Sequence, residues 1–175
     1  KGDQLYSSDI GSLGIYWVAE NNTAVFHQIS FADQYNATID TNGLRKSEWY
    51  LCSKDTLKPC AMEPYLYEIA PGNVVLLTSL VAPVIVNKQF RGVAGVDINL
   101  PILQKNLLAQ SQNLYNDKTG MYLLSSRYLA LASNQHADQL GKPLESFDKD
   151  LYEALKSNTA PQFTYKDQII TTHRI

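Results

Sequence analysis

Two runs rich in Val, Ile, Leu and Phe flank the polar cluster Asn87-Lys88-Gln89 and fill most of residues 73–104. Residues of that kind bunched on both sides of a turn cluster predict two long strands joined as a hairpin, with at least one face buried. After Asp97 the pattern breaks into a helix. Asn99 is placed to cap it, Pro101 stands in its first turn, and Leu100, Leu103, Leu107 and Leu114 come close to the spacing of one helix face. The hairpin is the floor of the fold, and the rest of the chain has to be read as what lies against it.

Before it, residues 13–18 and 24–29 form two short apolar runs around Glu20-Asn21-Asn22-Thr23, a first hairpin, with Tyr16 and Trp17 assigned to the core. Residues 31–35 suit one helical turn, and residues 36–47 are polar and turn-rich. Residues 49–71 carry Trp49, Tyr50, Tyr65 and Tyr67 among bends at Pro59, Pro64 and Pro71, and read as a long irregular loop. Loops of that length inside a compact domain are usually lids or binding loops. Downstream, residues 120–126 and 129–133 make a third hairpin around Arg127-Tyr128. Ser146 is placed to cap a short helix whose Phe147, Leu151, Ala154 and Leu155 share a face, and residues 162–175 form a last hairpin turning at Lys166-Asp167-Gln168. Strand pairs with helices inserted between them predict an α+β fold on an antiparallel sheet, not a repeated βαβ arrangement.

A chain of 175 residues that is 45% apolar buries one core, or one core and a small satellite module. With a net charge of −2 and scattered lysines and arginines, it lacks the footprint of a protein that grips nucleic acid or an anionic membrane surface. No apolar run approaches the roughly 20 residues that cross a bilayer, so any membrane attachment would come from segments outside this chain. It opens on Lys1 and stops on Ile175 within a strand-like pattern, as a piece of a longer protein would. Cys52 and Cys60, eight positions apart in a polar stretch, are spaced to close a disulfide in an oxidising compartment; half a metal site is the rival reading. The scattered His27, His136 and His173 give that rival no ligand spacing. G-x-S-x-G is absent, and Gly92-Val-Ala-Gly95 enters a strand without the Lys-Ser/Thr of a phosphate loop, so close backbone packing is its plainer role. The sequence therefore predicts neither an enzyme nor a cofactor.

What remains is a set of aromatics ahead of a hairpin that ends in one carboxylate. Asp97 stands in an otherwise apolar strand, where a buried charge has to be paired or hydrogen-bonded. It either accepts backbone N–H groups at the strand-to-helix junction or faces a cavity and takes a ligand's ammonium or N–H donor. Trp49 and Tyr50 divide between pocket wall and core. Tyr65 and Tyr67 alternate along a strand-like segment, so one of them faces the cavity, and Thr78 and Ser79 divide in the same way.

Glu63-Pro-Tyr-Leu-Tyr, then Leu77-Thr-Ser-Leu-Val-Ala-Pro-Val, then Phe90-Arg-Gly-Val-Ala-Gly-Val-Asp-Ile-Asn-Leu resemble, in order, the Cache-type extracytoplasmic sensor domains of bacterial chemoreceptors, histidine kinases and diguanylate cyclases. The likeness runs from about Gly14 to Leu144. It implies a PAS-like antiparallel sheet with flanking helices and a long ligand loop, in a double-Cache arrangement. Residues 1–118 would be a membrane-distal ligand-binding module, and residues 119–175 a smaller proximal part of α/β-hairpin type or the completion of the same sheet. The family opens with a long helix continuous with a transmembrane segment, most of which would precede Lys1. The implied function is periplasmic sensing of an amino acid, amine or small carboxylate for a methyl-accepting chemotaxis protein, as a homodimer in the intact receptor. A kinase or cyclase output, or a docking module without a small ligand, are the other readings. Amino-acid-binding members use an Arg-x-Trp-Tyr motif, a later Tyr and the Asp of Gly-Val-Asp. Here the matching positions are Trp49, Tyr50, Tyr65 or Tyr67, and Asp97, with Ser79 beside them. The arginine position holds Ser47, with Arg45 and Lys46 just before it. An aromatic box with one carboxylate suits an amine through cation–π contact, whereas a carboxylate ligand would need Arg45, Lys46 or Lys54 as its counter-charge.

Overall fold

The computed structural model describes residues 14–20, 23–40, 43–70, 72–116 and 118–173. They fall into two compact units, the residues up to Met62 with Leu66–Ile98, and Glu63–Tyr65 with the residues from Asn99 onward.

In the first unit, β1 (Ile15–Glu20) and β2 (Thr23–Gln28) pair antiparallel from Ile15 opposite Gln28 to Glu20 opposite Thr23. The expected turn at Asn21-Asn22 lies outside the described residues. Trp17 faces Phe26 across this hairpin but is 59% exposed, so its assignment to the core is corrected: its face of the two-stranded ribbon meets water. α1 (Phe31–Gln34) is the single expected turn, capped by Ser30, whose Oγ accepts from the Asp33 N–H.

The expected irregular stretch instead starts with a helix, α2 (Glu48–Thr56). Glu48 in its first turn and Lys54 in its last match the helix dipole, and Leu57 ends it in a left-handed conformation at φ 55°. The aromatic and proline content of residues 49–71 hid this helix because the prolines all lie beyond its end. A disulfide between Cys52 and Cys60 ties α2 to β3 (Cys60–Ala61).

β4 (Tyr65–Ala70), β5 (Asn73–Val86) and β6 (Gln89–Asn99) follow, and β5 is the strand that β3, β4 and β6 all pair with. Asn87 and Lys88 turn the central hairpin with φ of 52° and 63°, the two positive values of a type I′ turn. Tyr50, Leu51, Met62, Leu77 and Val81 form the buried apolar centre of this unit. Thr78 and Ser79 are both buried, contrary to a strict in-and-out alternation. Thr78 Oγ1 donates to the Met62 carbonyl at 2.6 Å and Ser79 turns to β6, so partners stand on both sides of β5 at this point.

The second unit is built on α3 (Leu100–Tyr115), β7 (Tyr122–Leu124), β8 (Ala130–Ser133), a 3-10 turn at Leu144–Ser146, α4 (Lys149–Ser157), β9 (Gln162–Tyr165) and β10 (Gln168–Thr171). Leu100, Ala130, Ala132, Leu144 and Ala154 are its buried apolar residues. The inward face of α3 carries Leu100, Gln104 and Ser111, while Leu114 is 61% exposed and drops out of the expected apolar row. Gln104 Nε2 donates to the Ser133 carbonyl at 2.7 Å, and the Ser133 N–H donates to Gln104 Oε1 at 2.9 Å. That clasp ties α3 to β8 within the second unit. Asn99 occupies the cap position of α3 without a capping side-chain bond. Asp148 caps α4 in place of Ser146, its Oδ1 accepting from the Leu151 N–H, because the chain first makes the 3-10 turn. Among the described residues no helix is long and apolar enough to cross a membrane.

Candidate functional site

β5 and β6 bring Ser79 and Asp97 side by side, and Ser79 Oγ donates to Asp97 Oδ1 at 2.5 Å. The serine is fully buried, whereas Asp97 is exposed. A buried hydroxyl therefore fixes one oxygen of a carboxylate that still meets solvent, and the expectation of a buried charge is corrected. The charge keeps its hydration, so a partner is not obligatory in the free protein. Two residues earlier, Gly95 lets β6 approach β5 closely: a Cβ there would lie 2.7 Å from Val81 Cγ1 and 2.9 Å from the Leu80 carbonyl oxygen.

α2 presents Trp49 and Tyr50. The Tyr50 ring is buried and meets Tyr35, Trp49 and Phe90 edge-on, with centroids 4.9, 5.7 and 5.8 Å away. Its hydroxyl lies 2.8 Å from that of Tyr35. Burial, reinforced by the Tyr35 hydroxyl, pushes ionisation of Tyr50 well above the ordinary tyrosine range, so it stays a neutral donor and acceptor. The Lys54 ammonium sits 5.0 Å above the Tyr35 ring, so one face of this cluster already holds a cation.

The expected ligand residues thus separate into groups. Trp49 and Tyr50 share α2, and Ser79 and Asp97 share a hydrogen bond. Tyr67 packs edge-on against Tyr16 at 5.9 Å, while Tyr65 groups with the second unit. Arg45 is engaged by Glu48 and Asp55, each at 2.6 Å, and those bonds hold its proton more firmly still. Ser47, at the position of the family arginine, is buried. Its Oγ donates to the Asp33 carbonyl and accepts from the Asn36 N–H, drawing residues 33–36 onto the start of α2. Tyr35 and Phe90 were missed as site candidates. Phe31 and Tyr35 sit four apart across a helical turn with rings 4.4 Å apart, which was a signal that Tyr35 belonged to an ordered aromatic cluster. Among the described residues no three His, Cys, Asp or Glu side chains gather as a metal site.

No protein-family model matches the chain. It is 27% identical over 171 residues to the methyl-accepting chemotaxis protein TlpQ of Pseudomonas aeruginosa, covering 94% of this chain and 24% of that protein. The chain is homologous to that chemoreceptor and has the fold of a Cache-like sensor domain. Its structure superposes with a TM-score of 0.57 on that of a methyl-accepting chemotaxis protein X, at 26% identity over 92% of this chain and 55% of the other. The extracellular domain of mmHK1S-Z3, described as a histidine kinase, gives the same TM-score at 26% identity over 82% of this chain and 46% of that one. The chain thus spans about a quarter of the length of the chemotaxis protein it matches.

Proposed function

We propose that this domain binds a small metabolite bearing an amine, an amino acid or a related compound, on the extracytoplasmic side of a bacterial membrane, as the input module of a chemoreceptor. The observation that carries the reading is the Ser79–Asp97 pair, an exposed carboxylate held at a defined place by a buried serine, in the unit that also holds the Tyr35–Tyr50–Phe90 cluster. An oriented acceptor and aromatic faces are what an ammonium group needs. A carboxylate ligand would have to draw Arg45 from two carboxylates or Lys54 from the Tyr35 ring, or be met by Lys46. The Cys52–Cys60 disulfide fits an oxidising compartment. The homology to a chemotaxis protein supports the chemoreceptor output, and the likeness to the extracellular domain of mmHK1S-Z3 supports a kinase output as a second reading.

Binding would act by shifting a two-state equilibrium, by no more than the ligand's differential affinity for the two states, and would be transmitted through a homodimer of the intact receptor. A thermal-shift screen over amino acids, amines and small carboxylates tests the reading. Stabilisation that disappears in Asp97→Ala supports it, and a response unchanged by that substitution moves the site elsewhere.

A further inference from the structure

We propose that Gln34 is a ligand-recognising side chain whose amide oxygen accepts a hydrogen bond from an N–H group of the bound molecule; this rests on the small-molecule reading above and names a second contact of the same site. Gln34 ends α1 and is only 7% exposed. Its Oε1 is shut away from solvent and has no hydrogen-bond partner among the described residues. Folded proteins leave few buried acceptors in that state, because each keeps its whole desolvation penalty with nothing in return. A group left so in the free protein is one that a bound molecule can complete.

Its position agrees. Two other buried side-chain oxygens lack a partner among the described residues, on Glu63 and Asn99, but both residues belong to the second unit. Gln34 belongs to the unit that carries Asp97. The neighbours of Gln34 in the chain are both bound to α2: the Asp33 carbonyl accepts from Ser47 Oγ, and the Tyr35 hydroxyl meets that of Tyr50. The Ser47 N–H also donates to the Asn36 carbonyl at 2.9 Å. The small serine at the family arginine's position thus lets residues 33–36 close onto the helix, and Gln34 is carried in with them. The amide oxygen takes an ammonium, an amidinium or an amide N–H, which is the preference Asp97 imposes from the hairpin.

The test uses Gln34→Met, which keeps the length of the side chain and removes the amide. Without ligand, the variant is expected to unfold about 2–4 °C above the wild type, since an uncompensated polar group has been removed from the interior. Butylamine, 4-aminobutyrate and butyrate, alike except at their ends, then serve as probes in thermal-shift and calorimetric titrations. The amine-bearing probes should stabilise the wild type and butyrate should not, and Gln34→Met should bind the amines about tenfold more weakly. A lower melting temperature for the unliganded variant would show that Gln34 is already bonded and overturn the proposal. So would an amine response undiminished in the variant, which leaves the sensing reading intact. A wild type that responds to none of the three while Gln34→Met remains the more stable protein counts against the small-molecule reading itself.

Discussion

Replacing Gly95 with alanine should destabilise the first unit without touching a polar contact. The added methyl would stand 2.7 Å from Val81 Cγ1 and 2.9 Å from the Leu80 carbonyl oxygen. The first neighbour can rotate, but the second is backbone in the strand that three others pair with, so β6 itself has to move out. Overpacking of this kind costs about 1–3 kcal/mol. For a chain of this size that is a fall of roughly 2–12 °C in melting temperature. Calorimetry and urea titration of Gly95→Ala, alone and with Val81→Ala, provide the assay. Val81→Ala alone removes buried methyl groups and is itself destabilising, so the clash is read from the cycle: adding Gly95→Ala to Val81→Ala should cost less than adding it to the wild type, but still something, since the carbonyl clash remains. Because Asp97 lies two residues further along β6, Gly95→Ala should also weaken ligand binding through Asp97. A Gly95→Ala protein as stable as the wild type would refute the claim that this glycine sets the strand spacing.

Three further outcomes are expected. Reduction of the Cys52–Cys60 disulfide, or Cys52→Ser with Cys60→Ser, should cost about 2–3 kcal/mol by freeing a short loop in the unfolded chain, read from urea unfolding with and without reductant. Gln104→Leu leaves the Ser133 N–H and carbonyl without their buried partners and should cost about 2–6 kcal/mol, at about 1–3 for each group, measured by denaturation. Tyr50 and Tyr122 are both held above the ordinary tyrosine pKa, first by burial and then by their hydroxyl partners or the nearby Asp148 charge. The folded state therefore keeps protons that the unfolded chain releases, so their stabilisation is complete below about pH 10 and is lost as the pH rises beyond it. Denaturant midpoints that stay level from pH 9 to 11.5 would contradict this.

The hairpins were readable because their turns carry the chemistry of their geometry: Asn87-Lys88 and Lys166-Asp167 all adopt positive φ where polar turn residues stood. α2 was not readable, since Trp49, Tyr50, Cys52 and Ser53 have weak helix preference and packing on β5 decides the matter. Asp97 and Ser79 were identifiable as polar exceptions in apolar strands, but their pairing depends on the register that Gly95 permits. Arg45 illustrates the limit of reading charge by proximity in sequence. It lies two residues from the expected position, yet Asp55, ten residues on, claims its guanidinium.

The three residues Glu63–Tyr65 pack with the second unit although the chain on either side of them packs with the first. Met62 is hydrogen-bonded to Ser79 of β5, while Glu63 Oε1 accepts from Ser126 Oγ and the Arg127 N–H of the β7–β8 turn. The first unit is consequently not a cassette that can be cut out at one point. A chimaera joined after Ile98 would strand Glu63 with foreign neighbours, so grafts between receptors should carry Glu63–Tyr65 and the β7–β8 turn as a matched pair.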